Sequence, residues 1–188
     1  MIDRETLDQL VGAVRRYVRE KLVPLEQEVA ARDEIPPQIL QDFRDMGLYG
    51  LSTPERYGGL GLGSAEEIEV ITELCWASAA FRSAIGINLG LGSQGILMDG
   101  TEAQKSRWLP KIASGEVVTS FCLTEPDSGS DSAALRTSAV RDGEHYVLNG
   151  VKRFITNAPS AGLFLVMART HPERLPKNEH ISAFLVPA

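Results

Sequence analysis

With 188 residues, 43% hydrophobic and 23% charged, the chain has the make-up of a globular protein with a real core, in one large domain or two small ones. Its 19 basic against 25 acidic residues give a net charge of -6, without the basic patch that meets nucleic acid. Two cysteines do not make a secreted disulfide framework, the N-terminus is polar and periodic, and no apolar run spans a bilayer, so a cytoplasmic protein is expected.

The first half reads as helix. Leu7, Leu10, Val11, Val14, Tyr17, Val18, Leu22 and Leu25 recur at helical spacing. Thr6 with Gln9 is a capping-box pattern near the start, and Pro24 predicts a kink. A second helix is expected from Pro36-Pro37, with Ile39, Leu40, Phe43 and Met46 turned inward and a stop at Gly47. Residues 52–63 (STPERYGGLGLG) are a loop on composition. Ser64 with Glu67 predicts a capped third helix through Cys75. Ala79 to Met98 is expected as one buried, glycine-rich helix, and Thr101 with Gln104 as the capped start of another that reaches Ile112.

From Glu116 the texture changes to strand. Val117 to Thr124 is rich in β-formers and Leu135 to Val140 alternates. Asp142-Gly143 and Asn149-Gly150 are hairpin signals, the second flanked by Tyr146 to Leu148 and Val151 to Ile155. Leu163 to Ala168 and Ile181 to Val186 are further strands, with a polar loop from His171 to Glu179 between them. Helices followed by strands predict an α+β chain. The expectation is an N-terminal α-helical domain over residues 1–115, followed by an antiparallel β domain over 116–188 that is partial, because the sequence stops straight after an apolar run.

The densest candidate for chemistry is Thr124 to Ser132 (TEPDSGSDS). A Gly/Ser loop at the end of a buried strand offers backbone N–H groups and hydroxyls to an anion such as a pyrophosphate. Composition alone favours the plainer reading, a solvated turn, since Pro, Asp, Ser and Gly are all turn formers. Gly90, Gly92 and Gly95 satisfy the dinucleotide spacing G-x-G-x-x-G. The preceding segment looks helical and the position where an acid is needed is Lys111, so close helix packing is the better reading. Glu125 beside the loop invites a general-base role, but it reads better as an acceptor that orders the loop. His145, His171 and His180 have no ligand spacing, and no metal is expected.

The run Cys122 to Asp131 (CLTEPDSGSD) resembles the signature of the acyl-CoA dehydrogenase family, and Lys152 to Asn157 (KRFITN) resembles the flavin-contacting strand of that family. Tyr57 to Gly61 (YGGLG) and Gly100 to Glu116 add further likenesses in family order. The resemblance implies FAD as cofactor. It puts Phe121, Leu123 and Thr124 on the flavin pyrimidine edge and Gly129 and Ser130 near the pyrophosphate. Phe154 lies where the family packs an aromatic against the ring, Ile155 beside it is a further cofactor contact, and Thr156 lies where a hydroxyl reaches toward N5. Ser130 also matches a position on the pantetheine arm of an acyl-CoA substrate.

The implied reaction is α,β-dehydrogenation of an acyl-CoA thioester, with electrons passed on to an electron-transfer flavoprotein. The implied assembly is a homo-oligomer, a tetramer in the family, or a pairing with a complementing C-terminal half. The family's base is a glutamate in a C-terminal helical domain, so no catalytic residue is assigned here, and a fragment or split product without turnover of its own is expected. Two other readings stay open: a non-catalytic acyl- or flavin-binding module, and an acyl-carrier-protein dehydrogenase or flavin monooxygenase on the same scaffold.

Overall fold

The computed structural model describes residues 2–171 and 180–188. It divides into two compact units, Met1–Val117 and Val118–Ala188. The polar loop expected from His171 to Glu179 lies, for residues 172–179, outside the described residues.

The first unit is helical: α1 (Arg4–Tyr17), α2 (Val23–Arg32), α3 (Pro37–Asp45), α4 (Ser64–Leu74), α5 (Ala79–Leu89), α6 (Leu91–Asp99) and α7 (Glu102–Ala113). The periodic residues of α1 face a core that includes Val14, Val18, Leu22, Phe43, Leu48, Leu51, Leu74, Phe81 and Ile85. Just before Pro24 the helix widens to a π turn over Val18–Leu22, and α2 starts with Pro24 in its first turn. Val23 N–H donates to Val18 O, five residues back, and this shifts the register just before the residue that lacks a donor.

Three helix-end expectations are corrected. The cap of α1 is Asp3, not Thr6: its carboxylate accepts Thr6 N–H at 2.8 Å and Thr6 Oγ1 at 2.9 Å. Ser64 does not cap α4. Gly63 is the cap, without a side-chain bond, and its carbonyl accepts Glu67 N–H at 2.9 Å. The stretch expected as one helix from Ala79 to Met98 is two. Gly90 N–H closes α5 on Gly86 O at 3.1 Å, and Gly90 O opens α6 by accepting Gln94 N–H at 2.9 Å. With Gly86, Gly90, Gly92 and Gly95 so close together, helix propensity is at its lowest there. The capping box of Thr101 and Gln104 is present as expected. The dinucleotide-like glycines Gly92 and Gly95 lie inside α6.

The second unit is a five-stranded sheet: β1 (Thr119–Cys122), β2 (Ser138–Asp142), β3 (His145–Asn149), β4 (Leu163–Arg169) and β5 (Ile181–Pro187). The α+β class holds, but the sheet is mixed rather than wholly antiparallel. β2 with β3 and β4 with β5 are antiparallel, while β1 with β4 and β2 with β4 are parallel. β1 and β4 are joined by the long segment 123–162, which gives the chain room to cross over and re-enter in the same direction. The Asp142-Gly143 signal is a hairpin: Asp142 pairs with His145, and Gly143 takes φ 59°. The Asn149-Gly150 signal is not. β3 ends at Asn149, and residues 151–155 form no strand. Gly150 lies against Thr137, where a Cβ would meet the Thr137 side chain and Cα. The chain passes over that residue instead of turning back on β3.

Candidate functional site

The segment that leaves β1 and the segment 152–156, far apart in sequence, lie side by side. Ser120 Oγ donates to Thr156 O at 2.7 Å, and Arg153 N–H donates to Thr124 O at 2.8 Å. Lys152 Nζ donates to Leu123 O at 2.9 Å. The β-formers of β1 supply one side. Phe121 pairs with Leu165 of β4 and is half-buried, as are Leu123 and Thr124 just beyond the strand. Ile155 is half-buried opposite them, while Phe154 and Thr156 are exposed.

Beyond Thr124 the loop is built, not merely solvated. Glu125 N–H donates to Ser128 O at 2.8 Å, which closes a tight turn through Pro126 and Asp127. Ser128 Oγ then donates to Asp131 O at 2.7 Å. Gly129 and Ser130 stand exposed on the outer part of this loop, and a Cβ on Gly129 would meet nothing within 4 Å. No direct bond joins these two residues to the 152–156 segment. Glu125 supports the loop from beneath. Its carboxylate accepts Thr137 N–H at 2.9 Å, Arg136 N–H, and Lys152 Nζ at 2.8 Å. Burial alone pushes this carboxyl up. The Lys152 ammonium and the Thr137 and Arg136 donors outweigh burial and hold it at about 2. The nearby Cys122 thiol is pushed up by burial, against a smaller pull from Lys152.

Phe154 is unusual in two ways. The residue is 77% exposed, and the Arg153 guanidinium carbon sits 4.4 Å from its ring centroid. Its backbone takes φ 59°, and Asn157 takes φ 65°. Among the described residues only three non-glycines have positive φ, and two of them fall in this short segment. Such conformations cost free energy and cluster where function needs a particular placement.

Sequence reasoning missed Ser120 and gave Lys152 no role. Its only signal was its place in the Lys152 to Asn157 motif, where it stands beside a second cation, Arg153. Ser120 offered none, because a serine in a buried strand looks like a small filler. Among the described residues no group of His, Cys, Asp and Glu is arranged to hold a metal, and no helix is long and apolar enough to cross a membrane.

The joined segments carry an exposed aromatic residue, Phe154, and, past Thr124, a hydrogen-bonded turn followed by exposed Gly129 and Ser130. The family model described as acyl-CoA dehydrogenase, N-terminal domain, matches residues 4–116, and the middle-domain model matches residues 120–188. The chain belongs to the acyl-CoA dehydrogenase family. An acyl-CoA dehydrogenase of Bacillus subtilis (strain 168) is 38% identical over 173 residues, which is 92% of this chain and 45% of that protein. A chain from a structure of the electron transferring flavoprotein of Acidaminococcus fermentans has a TM-score of 0.88 at 31% identity, covering 100% of this chain and 49% of that one. A glutaryl-CoA dehydrogenase from Mycobacterium smegmatis, solved in complex with FADH2, has a TM-score of 0.87 at 32% identity, covering 99% and 46%. The chain thus spans less than half the length of curated relatives it matches: 45%, 43% and 28% of three of them.

Proposed function

We propose that this chain supplies the helical domain (residues 1–115) and the middle β domain (116–188) of a cytoplasmic, FAD-dependent acyl-CoA dehydrogenase that catalyses α,β-dehydrogenation of an acyl-CoA thioester. The carrying observation is the lateral joining of residues 120–124 to 152–156 through the Ser120–Thr156, Thr124–Arg153 and Leu123–Lys152 bonds. The local chemistry fits a flavin. It presents an exposed aromatic ring, exposed hydroxyls at Ser130 and Thr156, and open space at Gly129.

When bound, FAD supplies the acceptor for the hydride that leaves the β-carbon. In this reading Phe121, Leu123 and Thr124 present backbone and hydroxyl groups to the pyrimidine edge, whose donors and acceptors alternate. Gly129 and Ser130 receive the pyrophosphate, and Ser130 also meets the pantetheine arm of the substrate. Phe154 and Ile155 cover the ring, and the Thr156 hydroxyl donates where negative charge develops. None of these 188 residues is proposed as the base that takes the α-proton. Their share is binding and alignment. An electron transfer flavoprotein is proposed as the partner that removes the electrons, in keeping with the similarity to the Acidaminococcus chain. A homo-oligomer, or a complementing C-terminal half, is proposed as the working assembly.

The test is colour and turnover. The purified 188-residue chain, given FAD and passed through a desalting column, is expected to keep the flavin absorption bands. It is expected not to oxidise a saturated acyl-CoA with a dye acceptor. A chain that stays colourless at saturating FAD would overturn the flavin reading, and turnover by the chain alone would overturn the assignment of the base elsewhere.

A further inference from the structure

The ion pair between Lys152 and Glu125 is buried, with side chains only 11% and 5% exposed. Buried charges persist where hydrogen bonds offset their lost hydration, and an apolar pair of similar size is often no less stable. The bonds around this pair link distant parts of the second unit. Lys152 Nζ reaches Leu123 O at 2.9 Å and Glu125 Oε1 at 2.8 Å. The same carboxylate receives Thr137 N–H at 2.9 Å and Arg136 N–H. One charge pair therefore ties together the end of β1, the approach to β2 and the start of the 152–156 segment.

We propose that Lys152 and Glu125 are positioning residues of the cofactor cradle, setting the register of residues 152–156 against 121–124 and strengthening the peptide donor between Leu123 and Thr124. Two physical steps lead there. A one-residue slip of the segment would carry half-buried Ile155 to the exposed place that Phe154 holds. The Lys152 bonds to Leu123 O and Glu125, together with Arg153 N–H to Thr124 O, oppose that slip. In addition, an ammonium on Leu123 O polarises the peptide unit that ends in Thr124 N–H, and hydrogen bonds in series strengthen one another. Neither residue needs to touch flavin. The inference rests on the flavin reading of the site.

The test is a fluorescence titration of FAD into the full chain and into Lys152→Met, Glu125→Gln, the double variant and Lys152→Arg, each first checked for native circular dichroism. Each of the first two is expected to bind FAD about tenfold more weakly, the size of one charge-assisted bond. The double variant is expected to match either single one, because the two residues act as a unit. Lys152→Arg is expected to recover part of the loss. At saturating FAD the visible circular dichroism of bound flavin should change in Lys152→Met, whereas a pair that only stabilised the fold would leave it alone. If the unaltered chain takes up no FAD, the flavin reading falls and this inference falls with it. If it binds FAD, and folded variants bind equally with an unchanged spectrum, the inference alone is overturned. Should Lys152→Met not fold, the near-isosteric Glu125→Gln decides by the same criterion.

Discussion

At the scale of single residues, Glu125 carries the sharpest consequence. It is 6% exposed, so its charge is held by specific donors and not by water. Its folded value of about 2 lies below the ordinary 4.5. A depressed carboxylate favours the folded state at any pH above its unfolded value, and that contribution disappears as pH falls through the folded one. The window therefore runs from about pH 4.5 down to about pH 2. Glu125→Gln removes this dependence and leaves the Lys152 ammonium buried beside a neutral amide. At pH 7 the variant is expected to lose about 3 kcal/mol, as when one partner of a buried pair is removed. Denaturant unfolding across pH 7 to 2 checks this: the gap between the two proteins should narrow steadily below pH 4.5. A gap that stays constant to pH 2 would mean the carboxylate's charge contributes nothing.

At the scale of elements, the loop around Tyr57 to Gly61 shows how a glycine pattern becomes structure. Leu60 N–H donates to Gly50 O, Gly61 N–H to Thr53 O and Leu62 N–H to Leu51 O, each at 2.9 Å, so the loop lies backbone to backbone on residues 50–53. A Cβ on Gly59 would run into Thr53 O, whereas one on Gly58 would meet open space at φ 83°. Gly59→Ala should therefore cost about 3 kcal/mol through overpacking, and Gly58→Ala about 1 kcal/mol through its left-handed backbone. Thermal unfolding of the two variants separates these causes, and equal losses would sink the packing argument. The same loop marks what was legible beforehand. Its turn chemistry reads directly from composition, but its docking on residues 50–53 does not, because that depends on partners distant in sequence. Helix existence was legible from the spacing of Leu7, Val14, Leu22 and Phe43. Helix ends were less so: Asp3, Thr6, Gly63 and Ser64 are all plausible caps, and only the backbone course decides among them. Gly90 fell inside an apolar run whose period hid the break. In the site, the motif residues stood out as motifs. The Lys152–Glu125 link did not, since a long-range ion pair leaves no local spacing.

At the scale of the whole molecule, the two units part between Val117 and Val118, and every residue proposed to meet flavin lies in the second. The first unit has its own core, from Leu7 through Leu89. Its Asn88 fastens α5 to the far end of α7, donating to Ile112 O at 3.1 Å and to Val117 O at 2.9 Å. A ligand that binds only the folded state stabilises what it binds by about 2.7 kcal/mol at a hundredfold excess over Kd. That stabilisation should fall on the amides whose opening exposes the cradle, so FAD at this excess is expected to slow hydrogen exchange about a hundredfold in β1, β4 and residues 152–156. The amides of α1, α4 and α5 should be slowed far less, because the core they pack in is built from residues of the first unit. Exchange read peptide by peptide by mass spectrometry, with and without FAD, makes the comparison within one sample. Protection centred on α4 and α5, with residues 119–124 and 152–156 unchanged, would move the flavin site off the sheet and break the link between the two motif segments and the cofactor.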